Sequence, residues 1–491
     1  MKKVKLMVAI TMMVCFLMTG VSFAEDGYLD SDYFNSVMDM IEDSYSGDIS
    51  REELLEGALR GMFDTMDDYT LYYTKEEAED YLNDIEGTYK GIGISFNRSD
   101  EEIVIVKVFK SSPAERAGIK KGDIIKKVDG VDVSNKNADE VASMIKGEEG
   151  TTVTLGIVRE NMSQLIEIEV VREEIKIEPG EYRIENDIGY IKLETFNSNA
   201  KSFINEALKE MDENNIKKII LDLRDNPGGE VGQAVAIAEK FVPIGLITRL
   251  EFKSESERDQ IYTSKLLKPK YELVVLVNEM SASASEILAG AIQDREAGIL
   301  VGTKTYGKAK VQSIFPIITP KAYKKYKDEY GTSFINAYDI LKKHKFYPPD
   351  NEIIGWIKMT VGRYYTPKGR MIDGVGLEPD VFVENVIKGV DVSTISLLSK
   401  TDKPGLGSES IDVYNAKKML VLLGYEVGNM DGFMDEITFK SIAEFQKDSG
   451  LYPYGVLDFS TQDVLNAKFQ KVIPEQDLQY YQAVKILSSR F

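Results

Sequence analysis

This chain of 491 residues has one cysteine, one histidine and one tryptophan. The cysteine, Cys15, lies in an apolar N-terminal stretch. No intrachain disulfide, CxxC pair or thiolate zinc site can be assembled from a single thiol. The histidine, His344, sits in a polar, aromatic-rich insertion, which counts against a Ser-His-Asp or Cys-His hydrolase on inventory alone. Positive charge is also short. Lysine and arginine total 60 against 81 aspartate and glutamate, a formal net charge of -21. So acidic a chain is a poor partner for nucleic acid or anionic membrane. The acidic stretch Asp129 to Glu140 lacks the Asp-x-Asp-x-Asp-Gly order of a calcium loop, so it reads as solvated turn and helix. No metal and no cofactor is expected.

Long apolar runs are missing too, except at the N-terminus. Lys2, Lys3 and Lys5 precede the apolar run Leu6 to Val21, and Ser22-Phe23-Ala24 follows before Glu25-Asp26. That order is a secretory signal with a small-x-small cleavage site, residues 1–24. The competing reading is an uncleaved membrane anchor. The run is barely long enough to span and is broken by Thr19 and Gly20, so cleavage is favoured. Cys15 has no lipobox-like residues before it. The protein is expected to be exported, extracellular or associated with the cell wall.

What is present centres on Glu272 to Phe315. Leu273 to Val277 is a short β-branched run, read as a strand. After the turn Asn278 to Met280 comes Ser281-Ala282-Ser283-Ala284-Ser285-Glu286, opening an apolar helix. Serine hydroxyls thus stand where a strand hands over to a helix N-terminus, with its free N–H groups and positive potential. One serine there is either an N-cap or a nucleophile. A nucleophile needs a base, and a lysine serves if burial keeps it neutral. Lys308, in Thr305-Tyr306-Gly307-Lys308, is the candidate; its competing reading is a solvated surface lysine like Lys304 and Lys310. Gln312 lies four residues on, on the same face of either a strand or a helix, where its amide can orient the amine.

Ser-Ala-Ser-Ala-Ser-Glu-Ile, Tyr-Gly-Lys and Val311-Gln312, in this order, resemble the C-terminal processing peptidases, serine proteases with a Ser-Lys dyad and a helping glutamine. The resemblance implies Ser283 as nucleophile, Lys308 as general base and Gln312 as its support. It departs at Ala309-Lys310, where the family has Gly-Thr. Arg224-Asp225-Asn226-Pro227-Gly228-Gly229 resembles a second family signature. Its glycines let N–H groups approach a substrate, so the oxyanion hole is assigned to the backbone of Gly228, Gly229 and Ala284. The competing reading of the two glycines is an ordinary tight turn, which two matched motifs in one core make the weaker one.

The same resemblance divides the chain and implies a multidomain α+β fold. Residues 25–84 form a helical segment, with a capping box at Ser50 to Glu53; its helices either pack on the chain's own core or make a homodimer. Residues 85–172 resemble a PDZ domain, a β-sandwich or barrel, with Gly91-Ile92-Gly93-Ile94 as the loop that binds a substrate's terminal carboxylate. Ile94 and Ile145 are expected to line the pocket for the last side chain. Residues 173–390 form a crotonase-like α/β protease core built on repeated strand-loop-helix units. Residues 319–355 interrupt it, with a helix expected from Phe334 to Lys343; this insertion either borders the active-site entrance or decorates the surface. Residues 391–410 read as a linker, with a Pro, Gly and Ser run from Thr401 to Ser410. Residues 411–469 resemble a small three-helix peptidoglycan-binding domain, in which Asp431 is turn chemistry and not a metal ligand. Residues 470–491 are a tail. The expected function is an exported serine endopeptidase acting on protein C-termini and tethered to peptidoglycan. The alternatives are a non-catalytic PDZ and wall-binding scaffold, and a wall hydrolase, for which no catalytic carboxylate pair stands out. Removal of residues 411–491 is expected to spare hydrolysis and weaken wall binding.

Overall fold

The computed structural model describes residues 31–99, 102–159, 164–254, 257–384 and 386–489. The expected signal segment lies outside them. The chain forms two compact units, residues 1–74 with 313–360, and residues 75–312 with 361–491.

The larger unit is built on a six-stranded sheet. Its strands, in spatial order, are Gly180–Glu185, Ile188–Leu193, Lys218–Asp222, Glu272–Val277, Ile299–Gly302 and Val381–Phe382. The first two form a hairpin through Asn186-Asp187, both at positive φ, as a two-residue turn between twisted strands requires. The remaining pairings are parallel. Parallel strands are covered on both faces, so their apolar runs are continuous. In Glu272–Val277, Leu273, Val275 and Val277 join one core cluster, while Val274 and Leu276 join another. Helices Ala200–Glu213, Val231–Phe241 and Ala284–Asp294 cover the first face.

The second face is covered by the end of the chain. Within the expected tail, Leu478–Ser489 is a helix whose Ala483 and Leu487 are buried against Tyr190, Ile220, Val274, Leu276 and Val301. A sheet buried on both faces needs this cover, which a local reading of the last residues does not show.

The expected PDZ region is a sheet in the order Ile94–Ser99, Glu102–Val108, Ile124–Val128, Thr152–Val158, Ile166–Val171, with Val131–Asp132 added beside Ile124–Val128. Strand Ile94–Ser99 is an edge. Buried Arg172 donates to the Ile145 and Met144 carbonyls at the end of helix Ala138–Ile145, a cation at the negative end of a helix. A ribbon of Thr88–Gly91 and Glu173–Lys176 carries the chain into and out of this domain.

Helices Ile411–Leu423, Glu436–Asp448 and Phe459–Gln476 share one core. Ser410, Asp435 and Asp458 cap them, each accepting from the third N–H of its helix. The expected linker contributes to that core, since Val392 and Leu398 are buried in it. The carboxylate of Asp431 accepts from the Phe433 N–H, as turn chemistry requires, and also from Lys417, whose side chain is fully buried.

In the smaller unit the Ser50 and Glu53 capping box forms at the start of helix Arg51–Asp64. Strand Leu71–Tyr73 pairs with Trp356 to Lys358. The insertion has two helices, Pro320–Tyr330 and Ala337–His344, in place of the one expected over Phe334 to Lys343. The first is signalled by Thr319 as cap and proline at the first helical position. His344 stacks on Tyr330, ring centroids 3.9 Å apart, and meets Phe334 edge-on.

These contacts overturn the separability of residues 411–491. A chain lacking residues 478–491 is expected to lose the cooperative thermal transition of the six-stranded sheet. Leu487→Ala alone should cost about 2–4 kcal/mol in denaturant unfolding. Native-like unfolding of both variants would show that the bare face is tolerated.

Candidate active site

The turn after strand Glu272–Val277 sorts its three serines. The Ser281 hydroxyl donates to the Leu223 carbonyl at 2.8 Å and accepts the Asn278 N–H at 2.9 Å. The Ser285 hydroxyl donates to the Asn226 carbonyl at 2.9 Å. Both residues are fully buried. Ser283 alone is partly exposed. It caps helix Ala284–Asp294 at φ 56°, ψ -111°, whereas the caps Ser50, Ser112 and Thr319 are extended. A non-glycine residue in that region costs roughly 1–3 kcal/mol, and it persists only where the surroundings enforce it. A sharp strand-to-helix turn of this kind pushes a serine side chain outward.

The enforcing group is Glu286, fully buried in the first turn of the same helix. One carboxylate oxygen accepts from the Thr305 hydroxyl at 2.6 Å and the Gly307 N–H at 2.8 Å. The other accepts from the Lys308 N–H at 2.9 Å and the Ser283 N–H at 3.0 Å. Burial raises its pKa above the ordinary carboxylate value, against the lowering effect of these four donors. Serine and lysine segments are therefore pinned to one carboxylate.

A second bridge comes from Tyr364, whose hydroxyl lies 2.6 Å from the Lys308 carbonyl and 3.1 Å from that of Ser283. Burial, with Glu286 and Asp373 nearby, pushes this phenol far above its usual range, so it stays a donor. Asp373 accepts the Ala309 N–H at 3.0 Å, and the Gly307 carbonyl accepts the Gly374 N–H at 2.8 Å. Ala309 and Val311 point into the core, while Lys308, Lys310 and Gln312 are partly exposed. Strand Lys310–Ile318 thus puts Gln312 on the side shared with Lys308. The methyl of Ala309 packs in the core, so alanine fits where the family has glycine.

Gly228 abuts the serine turn: a Cβ on it would lie 2.8 Å from the Ser283 Cβ and 3.0 Å from the Ala284 nitrogen. Its own N–H is occupied, donating to the Asn226 side-chain carbonyl at 2.9 Å. While that bond stands, the Gly228 N–H is not available to an oxyanion. Among the described residues, the N–H groups of Gly229 and Ala284 have no protein acceptor. The turn is anchored by Arg224, partly buried and bound both to Asp222 and to Asp477, the latter at 2.8 and 2.7 Å. Burial opposes its charge, but the two carboxylates raise its pKa further.

The profile of Peptidase family S41 matches residues 187–383, that of the PDZ domain residues 91–170, and that of a putative peptidoglycan binding domain residues 409–465. Carboxy-terminal processing protease CtpA of Bacillus subtilis (strain 168) is 30% identical over 471 residues, covering 95% of this chain and 92% of that protein. The carboxy-terminal-processing protease of Bartonella bacilliformis is 30% identical over 370 residues, covering 73% of this chain and 77% of that protein. The chain belongs to the carboxy-terminal processing proteases of peptidase family S41. Among solved structures, a photosystem II D1 C-terminal processing protease aligns at 24% identity over 72% of this chain and 86% of that chain, with a TM-score of 0.38.

In this family member, sequence reasoning missed Glu286, Tyr364 and Asp477. Ser283-x-x-Glu286 has the spacing of a capping box, so a local reading takes Glu286 for a helix cap. Tyr364 stands in an ordinary strand run, Ile353–Tyr365, with nothing to mark its hydroxyl. Asp477 is more than 250 positions from Arg224, and no local pattern joins them. Glu286→Gln would turn an NH2 group against two of the four donors. The expected loss is about 3 kcal/mol of stability, together with hydrolysis. Denaturant unfolding and peptide cleavage check this; wild-type values for both would remove Glu286 from its bridging role.

Proposed function

We propose that the chain is an exported processing endopeptidase in which Ser283 and Lys308 form the catalytic dyad. The observation that carries this reading is the presentation of Ser283, the one serine of its turn not sealed in the core, on a strained cap tied through Glu286 to the Lys308 backbone. Neutral Lys308, oriented by Gln312, takes the Ser283 hydroxyl proton as the oxygen bonds to the scissile carbonyl carbon. The N–H groups of Gly229 and Ala284 receive the developing oxyanion, and Gly228 gives that oxygen room. Lysine then returns the proton to the leaving amine, and water hydrolyses the acyl-enzyme. A catalytic serine-type protease is favoured over a non-catalytic scaffold because this machinery and the family match agree.

The Gly91 to Ile94 loop of the PDZ domain captures the free C-terminus of a protein substrate, with an apolar last residue against Ile94 and Ile145. The module over residues 409–465 holds the enzyme at the peptidoglycan. Among the described residues, no helix is long and apolar enough to cross a membrane. Export rests on the N-terminal sequence pattern alone.

Ser283→Ala should abolish cleavage of an apolar-tailed peptide with the unfolding transition unchanged. Lys308→Arg should do the same, because a guanidinium stays protonated. In wild type, kcat/KM should rise with pH as the lysine loses its proton. Near-normal turnover in either variant, or covalent labelling of Ser281 or Ser285, would sink the dyad.

A further inference from the structure

The two amides assigned to the oxyanion, Gly229 and Ala284, belong to different turns. One turn follows strand Lys218–Asp222 and the other follows strand Glu272–Val277. Neither turn by itself fixes the distance between the two amides. Three bonds from the serine turn end on the backbone of the glycine turn. The Ser281 hydroxyl donates to the Leu223 carbonyl at 2.8 Å, and the Ala282 N–H and Ser285 hydroxyl donate to the Asn226 carbonyl at 3.0 and 2.9 Å. A fourth tie runs through two side chains, and it is reciprocal.

Asn278, the first residue after strand Glu272–Val277, is 2% exposed. Its side-chain carbonyl accepts the Asp225 N–H at 3.0 Å and the Met280 N–H at 3.2 Å. Its NH2 group donates to the Asp225 carboxylate at 2.8 Å. These partners fix which way the amide faces, because N–H groups need its oxygen and a carboxylate needs its NH2. Asp225 stands three residues before Gly228 at φ 61°, a left-handed conformation that aspartate adopts only where something holds it. The Asn278 amide holds both its N–H and its carboxylate. The Asn278 backbone N–H, bound to the Ser281 hydroxyl at 2.9 Å, meanwhile belongs to the serine turn. We propose that Asn278 and Asp225 are positioning residues, a clamp that sets the spacing of the Gly229 and Ala284 amides. This rests on the reading of those amides as the oxyanion hole.

Such a clamp acts on rate more than on binding. Oxyanion donors must already stand where the oxygen will be as its charge develops. A misplacement of about 1 Å between two such donors costs on the order of a hundredfold in rate. The neutral carbonyl of bound substrate asks less of them, so the loss falls on kcat and spares KM. Asn278 and Asp225 also line a cavity of about 520 Å³ beside Asp222 and Arg224. A changed side chain there meets open space on one side and not packed core alone.

The test uses the full chain with Asp225→Ala, Asp225→Asn, Asn278→Asp, and the exchanged pair Asp225→Asn with Asn278→Asp. Asp225 is exposed, so its variants leave the core intact. Asp225→Ala removes the acceptor and should lower kcat about ten- to hundredfold, with KM and the unfolding transition little changed. Asp225→Asn keeps an acceptor oxygen and should recover most of that loss. Asn278→Asp sets two carboxylates against each other and should lose kcat as well; the exchanged pair restores donor and acceptor in reverse and should regain it. A peptide aldehyde, whose carbon takes the Ser283 oxygen as a hemiacetal, should bind Asp225→Ala more weakly by about the fold-change in kcat. The matched peptide alcohol, which cannot add the serine, should bind every protein alike. Wild-type kcat in Asp225→Ala, or a loss confined to KM or to unfolding, would overturn the clamp. So would an exchanged pair no more active than Asn278→Asp. If Asn278→Asp does not fold, the two Asp225 variants and the aldehyde decide the matter. Failure of the oxyanion reading shows differently: the aldehyde would bind wild type no more tightly than the alcohol, and the clamp would fall with it.

Discussion

The candidate site depends on one carboxylate that is fully buried. Glu286 stands in the first turn of its helix, where the dipole favours a negative charge. Four donors from Ser283, Thr305, Gly307 and Lys308 converge on it. An isolated buried carboxylate would cost several kcal/mol, and burial indeed raises its pKa. The sign follows. A folded-state pKa above the unfolded value means that the folded protein holds this proton more tightly. The group's contribution is full below the unfolded pKa and is lost as pH rises through the folded one. At neutral pH the charged bridge is thus a stress that the rest of the fold sustains. In return it fixes the φ of Ser283 and the start of the lysine segment together.

What sustains it is the sheet underneath. Strand Glu272–Val277 delivers the serine turn and is sealed on both faces. One seal is made by three helices from the middle of the chain, the other by Leu478–Ser489. The chain leaves the core, builds the three-helix module and returns to close the second face. Asp477, at the hinge into that last helix, also clasps Arg224 at the start of the glycine turn. Breaking such a pair strands a buried guanidinium, which costs more than the pair itself contributes. The end of the sequence is therefore part of the catalytic domain's construction.

This explains what the sequence disclosed and what it withheld. Local chemistry was legible. The strand run Leu273 to Val277, the Ser50 cap and the serine-bearing strand-to-helix turn all follow from short-range pattern. The Ser283 and Lys308 segments, which Glu286 ties together by their backbones, were picked out through family likeness and not through spacing alone. The positive φ of Ser283 was not legible, because it is held through Glu286, whose other partners Thr305, Gly307 and Lys308 lie in a later loop. Val392 and Leu398 read as linker because the core that buries them comes afterwards. The second face of the sheet could not be assigned, since its cover lies some 200 residues downstream. Gly228 was named a donor from the family-like glycine turn, in which the bond from its N–H to the Asn226 side chain does not show.

Rigidity, not chemistry, is what the glycine turn and the serine turn share. At Gly229 and Ala284 the N–H groups have no protein acceptor among the described residues, while the backbone around them is braced by Asn226, Glu286 and Arg224. An oxyanion donor works best when it needs no rearrangement as charge develops, so rigid, unfilled amides suit catalysis. The bracing comes from side chains that are distant in sequence, Asp477 on Arg224 and Thr305 on Glu286, which a local reading of either turn has no means to include.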